Sequence, residues 1–155
     1  MLCWPLAVLA QAPAPAGEAR QRLDLYIGEW SVAGDTDPPE VCTWFDERPS
    51  VVVCRSEHRP ATGPPVRGVS LLGYDESTQR YTYYHYNNRG LTRSQIGWWV
   101  DGEFRFVGER LIGGRAVREQ VRIRRSDKGM TFEEQRSVEG GPWTPRASFE
   151  YLRLR

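Results

Sequence analysis

Apolar and polar residues alternate in short segments along most of the chain. Such alternation is typical of β-strands that have one covered face. The pattern predicts ten strands, bounded by Gly, Pro, Asn or Asp, at residues 29–33, 39–45, 51–58, 68–73, 80–86, 91–100, 103–109, 116–125, 130–138 and 146–154. Residues 18–27 differ, because Leu23, Tyr26 and Ile27 have helical spacing before Gly28, and they predict a short N-terminal helix.

The predicted strands are joined by tight connectors. Asp101-Gly102 between two alternating segments is a strong hairpin signal, because both residue types tolerate positive φ. A meander of this kind removes its unpaired edges most simply by closing on itself. The sequence therefore predicts an all-β fold, an antiparallel up-and-down barrel of about ten strands. A β-sandwich is the alternative, and it would need longer crossovers than these connectors offer.

Two stretches carry a resemblance to known barrels. The stretch LYIGEW, with Gly28 and Trp30, is similar to the opening of calycin barrels, where Gly-x-Trp plugs one end. Residues 71–110 resemble a family of short exported bacterial proteins of unknown function with a lipocalin-like (calycin) barrel. The resemblance covers roughly residues 21–155 and implies a barrel with a cavity, without an activity.

Barrels of the nitrobindin kind also open with a Gly-x-Trp element, so the resemblance raises the question of haem. Those barrels rely on a histidine ligand near the C-terminus, and no histidine follows His85 here. The sequence therefore predicts no cofactor. His58 and His85 are also too few to predict a metal site.

The first seventeen residues contain no charged side chain. Their apolar run and Ala/Pro-rich end predict a signal peptide and linker at residues 1–17, followed by one barrel domain at residues 18–155. The pattern departs from a typical signal in that no positive residue precedes the apolar run. We nevertheless expect an exported protein, periplasmic or secreted. Because the apolar run is too short to span a bilayer, we expect no stable membrane insertion.

Cysteine usage agrees with export. Cys42 and Cys54 lie in neighbouring predicted strands, where they can face each other and form a disulfide in an oxidising compartment. Two small buried thiols are the alternative. The chain has 21 basic and 20 acidic residues, and all basic residues except Lys128 are arginines spread along the sequence. This balance gives no indication of a nucleic-acid partner.

Period two places several polar side chains on the inward faces of the strands. Glu119 and Glu134 fall on apolar faces, where a carboxylate needs a partner. The predicted ligand-binding residues, with these two glutamates among them, are Trp30, Tyr83, His85, Arg93, Gln95, Phe106, Glu119 and Glu134. They predict a small, largely apolar ligand in a mostly apolar cavity. A buried structural network is one alternative, and a hydrolase or isomerase using a buried glutamate is another, although no catalytic residue is assigned.

Aromatic residues also fall on the outward faces. Tyr84, Tyr86 and Trp98 point away from the inward set. Three explanations are open for them: a partner surface such as a homodimer interface, packing by the N-terminal helix, or cross-strand tyrosine pairs on an exposed sheet. With a filled barrel, this surface would make the protein a structural or interaction module instead.

Overall fold

The computed structural model describes residues 14–155, so most of the predicted signal peptide and linker lies outside the described residues. The described chain begins with helix α1 (Ala16–Gln21) and a 3₁₀ helix (Arg22–Leu25). Ten strands follow: β1 (Gly28–Val32), β2 (Glu40–Trp44), β3 (Val51–His58), β4 (Val66–Asp75), β5 (Arg80–Asn87), β6 (Thr92–Val100), β7 (Glu103–Ile112), β8 (Arg115–Ser126), β9 (Gly129–Val138) and β10 (Thr144–Arg153).

The ten strands form one closed antiparallel barrel. Each strand pairs with its neighbour in the chain, and β1 closes the sheet by pairing with β10, with Trp30 opposite Arg153. The predicted fold class is therefore confirmed. The hairpin signal between β6 and β7 is also confirmed, since Asp101 has φ 53° and Gly102 has φ 80°.

The predicted pairing of the two cysteines is confirmed as well. Cys42 on β2 lies directly opposite Cys54 on β3, and their Sγ atoms are 2.03 Å apart, the distance of a disulfide bond. Both cysteines face the barrel interior and are buried. The bond links two strands that also form part of the inner wall.

The N-terminal segment closes one end of the barrel. Leu23 has no exposed surface, and the hydroxyl of Tyr81 donates a hydrogen bond to the carbonyl of Ala19 at 2.8 Å. The indole nitrogen of Trp30 donates to the carbonyl of Tyr26 at 2.7 Å, which holds the segment against the first strand. We call this the closed end. The opposite end, where β1–β2, β3–β4, β5–β6, β7–β8 and β9–β10 are joined, is the open end.

The helix differs from its prediction at both ends. It begins at Ala16, two residues before the predicted start, because Pro15 precedes its first turn and the carbonyl of Pro15 accepts a hydrogen bond from the amide of Ala19. It then tightens into the 3₁₀ helix instead of continuing to Ile27. This tightening places both Leu23 and Leu25 in the core.

Candidate functional site

A polar belt lines the interior between the closed end and the open end. Its residues lie on β2 and on β4 to β10, and they share the inward face that alternation assigns to them. The polar belt consists of Glu40, Ser70, Tyr83, His85, Arg93, Gln95, Arg110, Glu119, Glu134, Arg136 and Tyr151. Strand pairing joins much of the belt: His85 lies opposite both Ser70 and Arg93, and Gln95 lies opposite Tyr83.

Glu119 is the centre of charge in the belt. It is 1% exposed, and three arginines surround its carboxylate. Arg110 Nη2 lies 2.9 Å from Oε1, Arg136 Nη2 lies 3.0 Å from Oε1, and Arg93 Nε lies 3.2 Å from Oε2. A buried carboxylate is tolerated only with such partners, because removing it from water is costly.

Glu134 joins the same cluster. Its Oε1 lies 3.2 Å from Nε of Arg136 and its Oε2 lies 3.5 Å from Nη1 of Arg93. The cluster therefore contains three arginines against two carboxylates, an excess of one positive charge. The two carboxylate side chains are 2% and 7% exposed, while the arginine side chains are 15–24% exposed. The positive groups are thus the ones that solvent reaches.

A second, uncharged part of the belt lies beside this cluster. The hydroxyl oxygen of Ser70 is 3.0 Å from Nδ1 of His85 and 3.3 Å from the hydroxyl oxygen of Tyr83. Burial, and then the positive charge of Arg93, lower the pKa of His85, so the imidazole is neutral at pH 7. Burial raises the pKa of Tyr83. These three groups offer hydrogen bonds without net charge.

Glu40 stands apart from the arginine cluster. It faces inward opposite Trp30 on β1, with its Oε1 3.6 Å from Sγ of Cys42. Burial raises the pKa of this carboxyl to about 7. No ion pair with Glu40 is found among the described residues. It can therefore release or accept a proton near neutral pH, a property that suits either acid–base chemistry or pH-dependent binding.

Aromatic side chains at the open end face the interior and still contact solvent. Phe149 on β10 is opposite Phe132 on β9, with ring centroids 5.8 Å apart, and it is 42% exposed. Phe132 and Tyr151 are half-buried on the same inner wall. An inward-facing ring with this much exposure means that solvent reaches the inner wall at Phe149.

Most of the predicted site residues lie in the polar belt, and the others lie toward the closed end. Tyr83, His85, Arg93, Gln95, Glu119 and Glu134 all lie in the polar belt. Trp30, 2% exposed, lies in the packed closed end instead, under the guanidinium of Arg153. Phe106, 1% exposed, lies just below the belt, with its ring 5.9 Å from that of Tyr83. The structure thus brings six of the eight together and places the other two below them.

Among the other predicted site residues, only Arg93 forms an ion pair with Glu119 and Glu134. The sequence analysis missed Arg110 and Arg136, the other two cations of the cluster. The alternation that placed Glu134 inward also places Arg136 inward, so that signal was present. Arg110 lay one residue beyond the predicted end of its strand, which continues to Ile112.

A pocket outside the polar belt could also be taken for a ligand site. A pocket of about 180 Å³ lies at the closed end, lined by Leu25, Trp30, Arg125, Ser126, Asp127, Lys128, Gly129 and Arg153. It is smaller than the clefts of about 300–1,000 Å³ that hold small molecules. It also lies away from the polar belt, and we therefore do not take it as the ligand site.

Two groups of described residues have metal-ligand spacing. Glu40, Cys42 and Cys54 form one, but the disulfide occupies both sulfur atoms. Asp35, Asp37 and His58 form the other, at the open end. There Asp37 already contacts His58 and accepts a hydrogen bond from the amide of Arg59 at 2.7 Å. Neither group needs a metal to explain it.

Comparison with known proteins identifies no family for this chain. No protein-family model matches the chain, and no curated protein is similar to it. Within residues 14–155, no helix has the length and apolar character needed to cross a membrane.

Proposed function

We propose that this chain is an exported protein that binds a small, largely apolar molecule inside the open end of its barrel. The observation that carries the proposal is Phe149, an inward-facing aromatic side chain that is 42% exposed. Burying such a ring against a ligand is favourable by roughly 25 cal/mol per Å² of apolar surface. The polar belt beside it supplies the few directional contacts that orient a ligand.

Export rests on the disulfide. The bond between Cys42 and Cys54 supports an oxidising compartment, because disulfides are rare where thiols are kept reduced. The predicted signal peptide agrees with this. The resemblance to exported lipocalin-like proteins remains a prediction, and it too implies export.

Native mass spectrometry of the protein purified from its own source tests the binding function. We expect a species heavier than the polypeptide, which loses the extra mass on denaturation. A matched pair of variants locates the site with the apolar dye Nile red. Phe149→Ser should weaken dye binding, whereas Phe45→Ser, at a 72% exposed phenylalanine outside the barrel, should not. A bare polypeptide mass together with no dye binding would contradict the proposal.

A second candidate function is an interaction module. On the outer wall Tyr84, Tyr86 and Ile96 are 39%, 46% and 48% exposed, on two adjacent strands. The N-terminal helix covers the closed end instead of these residues. Trp98, on the same wall, packs under the guanidinium of Arg80 at 5.0 Å. Sizing at several concentrations separates the two functions, because an obligate dimer favours the interface and a monomer favours the binding protein.

The enzymatic alternative gains little from Glu119 and Glu134. Arginine side chains contact both oxygens of each carboxylate, so neither carboxylate is presented to a reacting group. Glu40 has the more suitable pKa, and turnover that disappears in Glu40→Gln without loss of folding would establish an enzyme.

A further inference from the structure

The clearest sign of the ligand's chemistry is an amide that lacks a partner. Gln95 is 3% exposed and faces the interior from β6. Among the described residues its Nε2 has no hydrogen-bond partner. Buried polar groups in folded proteins are nearly always paired, so an isolated donor at this position calls for an explanation.

Gly108 on the neighbouring strand leaves the space that the Gln95 side chain occupies. Gly108 on β7 lies against this side chain, and a Cβ atom at that position would come within 2.8 Å of Cγ of Gln95 and 2.6 Å of the carbonyl oxygen of Ser94. Any larger residue would displace Gln95. The side chain therefore occupies a space that a glycine leaves open, and it is still unpaired there.

The charges around Gln95 favour an anion. Arg93, two residues along the same strand, contacts both Glu119 and Glu134. Its Nε is buried and, despite lying 3.2 Å from Oε2 of Glu119, makes no hydrogen bond. With Arg110 and Arg136 the cluster holds one more positive than negative charge. Gln95 therefore offers an unused N–H donor beside a cluster with a net positive charge.

We propose that the ligand is a small monoanionic acid, whose carboxylate accepts a hydrogen bond from Gln95 and is attracted by the net positive charge of the arginine cluster. Its apolar part lies against Phe149 and the other inward aromatic side chains at the open end. This inference rests on the proposed binding function and adds the ligand's class to it. Hydrogen bonds from a cationic or amide donor to a carboxylate are among the stronger ones in proteins, and the excess positive charge disfavours a cationic ligand.

Calorimetric titration of the full protein with three matched probes tests the class of ligand. Octanoate, octanol and octylamine share one apolar chain and differ in the head group. We expect octanoate to bind at least about tenfold more tightly than octanol, in line with the strength of charge-assisted hydrogen bonds, and octylamine to bind most weakly. Equal binding of octanoate and octanol would overturn the inference and leave the proposed function standing. Tightest binding by octylamine would also overturn it.

Substitution of Gln95 separates a binding role from a structural one. Gln95→Met keeps the length of the side chain and removes the unpaired donor. We expect its thermal unfolding midpoint to rise and its preference for octanoate over octanol to fall about tenfold. Gln95→Glu should abolish octanoate binding through charge repulsion.

Gln135→Met, at an exposed glutamine on the outer face of β9, is the matched control and should change neither quantity. A lowered unfolding midpoint in Gln95→Met with an unchanged octanoate preference would overturn the inference, because Gln95 would then be structural.

Discussion

At the closed end Phe104 has no exposed surface, and its ring lies 4.7–5.3 Å from the rings of Trp99, Tyr81 and Tyr26. On β10 Phe149 faces the same interior and is 42% exposed. Further toward the open end than Phe132 and Ile123, which link these two rings across the paired strands, lies the charged part of the polar belt, in which Glu119 is almost completely buried. One continuous sheet therefore encloses a packed apolar core at one end and a hydrated, charged space at the other.

The difference assigns separate tasks to the two ends. Close packing of aromatic rings contributes most to stability, because each buried ring removes a large apolar area from water. A cluster of buried charges contributes little net stability, since desolvation offsets most of the attraction. We infer that the closed end holds the fold together and that the belt is retained for what it recognises.

The largest expected effect is at the closed end. Phe104→Ala should lower the free energy of unfolding by about 3–5 kcal/mol, because it leaves a cavity in the packed core. Phe149→Ala should lower it by less than about 1 kcal/mol, since that ring is already partly in water. Urea denaturation followed by circular dichroism measures both. Equal losses would show that the interior is uniformly packed.

The disulfide should have the next largest effect. Replacing Cys42 and Cys54 by serine together should lower the free energy of unfolding by about 3 kcal/mol, as expected for a short closed loop. Reducing the wild-type protein should produce a similar loss, and it serves as the control. If alkylation before reduction labels both cysteines, the disulfide is absent and the prediction fails.

Glu119→Gln probes the charged belt. It leaves three arginines with Glu134 as their one carboxylate, so we expect a loss of about 2 kcal/mol, less than for a fully buried pair because the arginines keep contact with water. Added salt should reduce the loss by screening the repulsion. Glu133→Gln, at a carboxylate on the outer face near Arg122 and Arg124, is the matched control, with an expected change within about 0.5 kcal/mol. An equal effect of both substitutions would remove the distinction between belt and surface.

The smallest effect concerns Glu40 and depends on pH. Burial raises the pKa of its carboxyl from 4.5 to about 7, so between these values the folded state holds a proton that the unfolded state has released. The contribution of Glu40 to stability is therefore fully present below about pH 4.5 and is lost as pH rises through 7. Glu40→Gln should remove this slope and stabilise the protein at pH 8 by about 1–2 kcal/mol.

Denaturation curves of the wild type and Glu40→Gln at pH 5 and pH 8 make the comparison. Asp75 provides a useful contrast, because hydrogen bonds from Ser77 and Thr78 lower the pKa of this exposed carboxyl to about 2. Asp75→Asn should therefore keep the wild-type slope between pH 5 and pH 8. Parallel curves for the wild type and Glu40→Gln would mean that Glu40 is ionised in the folded protein over this range.

Alternation along the chain was sufficient for much of this structure. It placed the strands, the paired cysteines and the inward direction of Glu119 and Glu134 correctly, because side chains on a strand point to opposite faces in turn. The same alternation puts Arg153 on the inward face of β10, where its guanidinium lies over Trp30. These features depend on local geometry, which a sequence displays directly.

Other features depend on contacts between distant strands. Arg136 reaches Glu119 because β8 and β9 pair in one particular register, and the sequence does not specify that register. The raised pKa of Glu40 depends on burial by the closed barrel. The boundary between the packed and the solvated part of the interior likewise depends on how the helix packs at the closed end. Such properties belong to the assembled barrel and not to any one segment.

Nuclear magnetic resonance of the Gln95 side-chain amide, followed during titration with octanoate, tests the open end as the binding site most directly. We predict a saturable downfield shift of this NH₂ resonance, because the unpaired donor gains a carboxylate partner, together with small shifts for the backbone amides of Trp30 and Leu23 at the closed end. An unchanged Gln95 resonance, with the largest shifts at the closed end or at Tyr84 and Tyr86 on the outer wall, would contradict it.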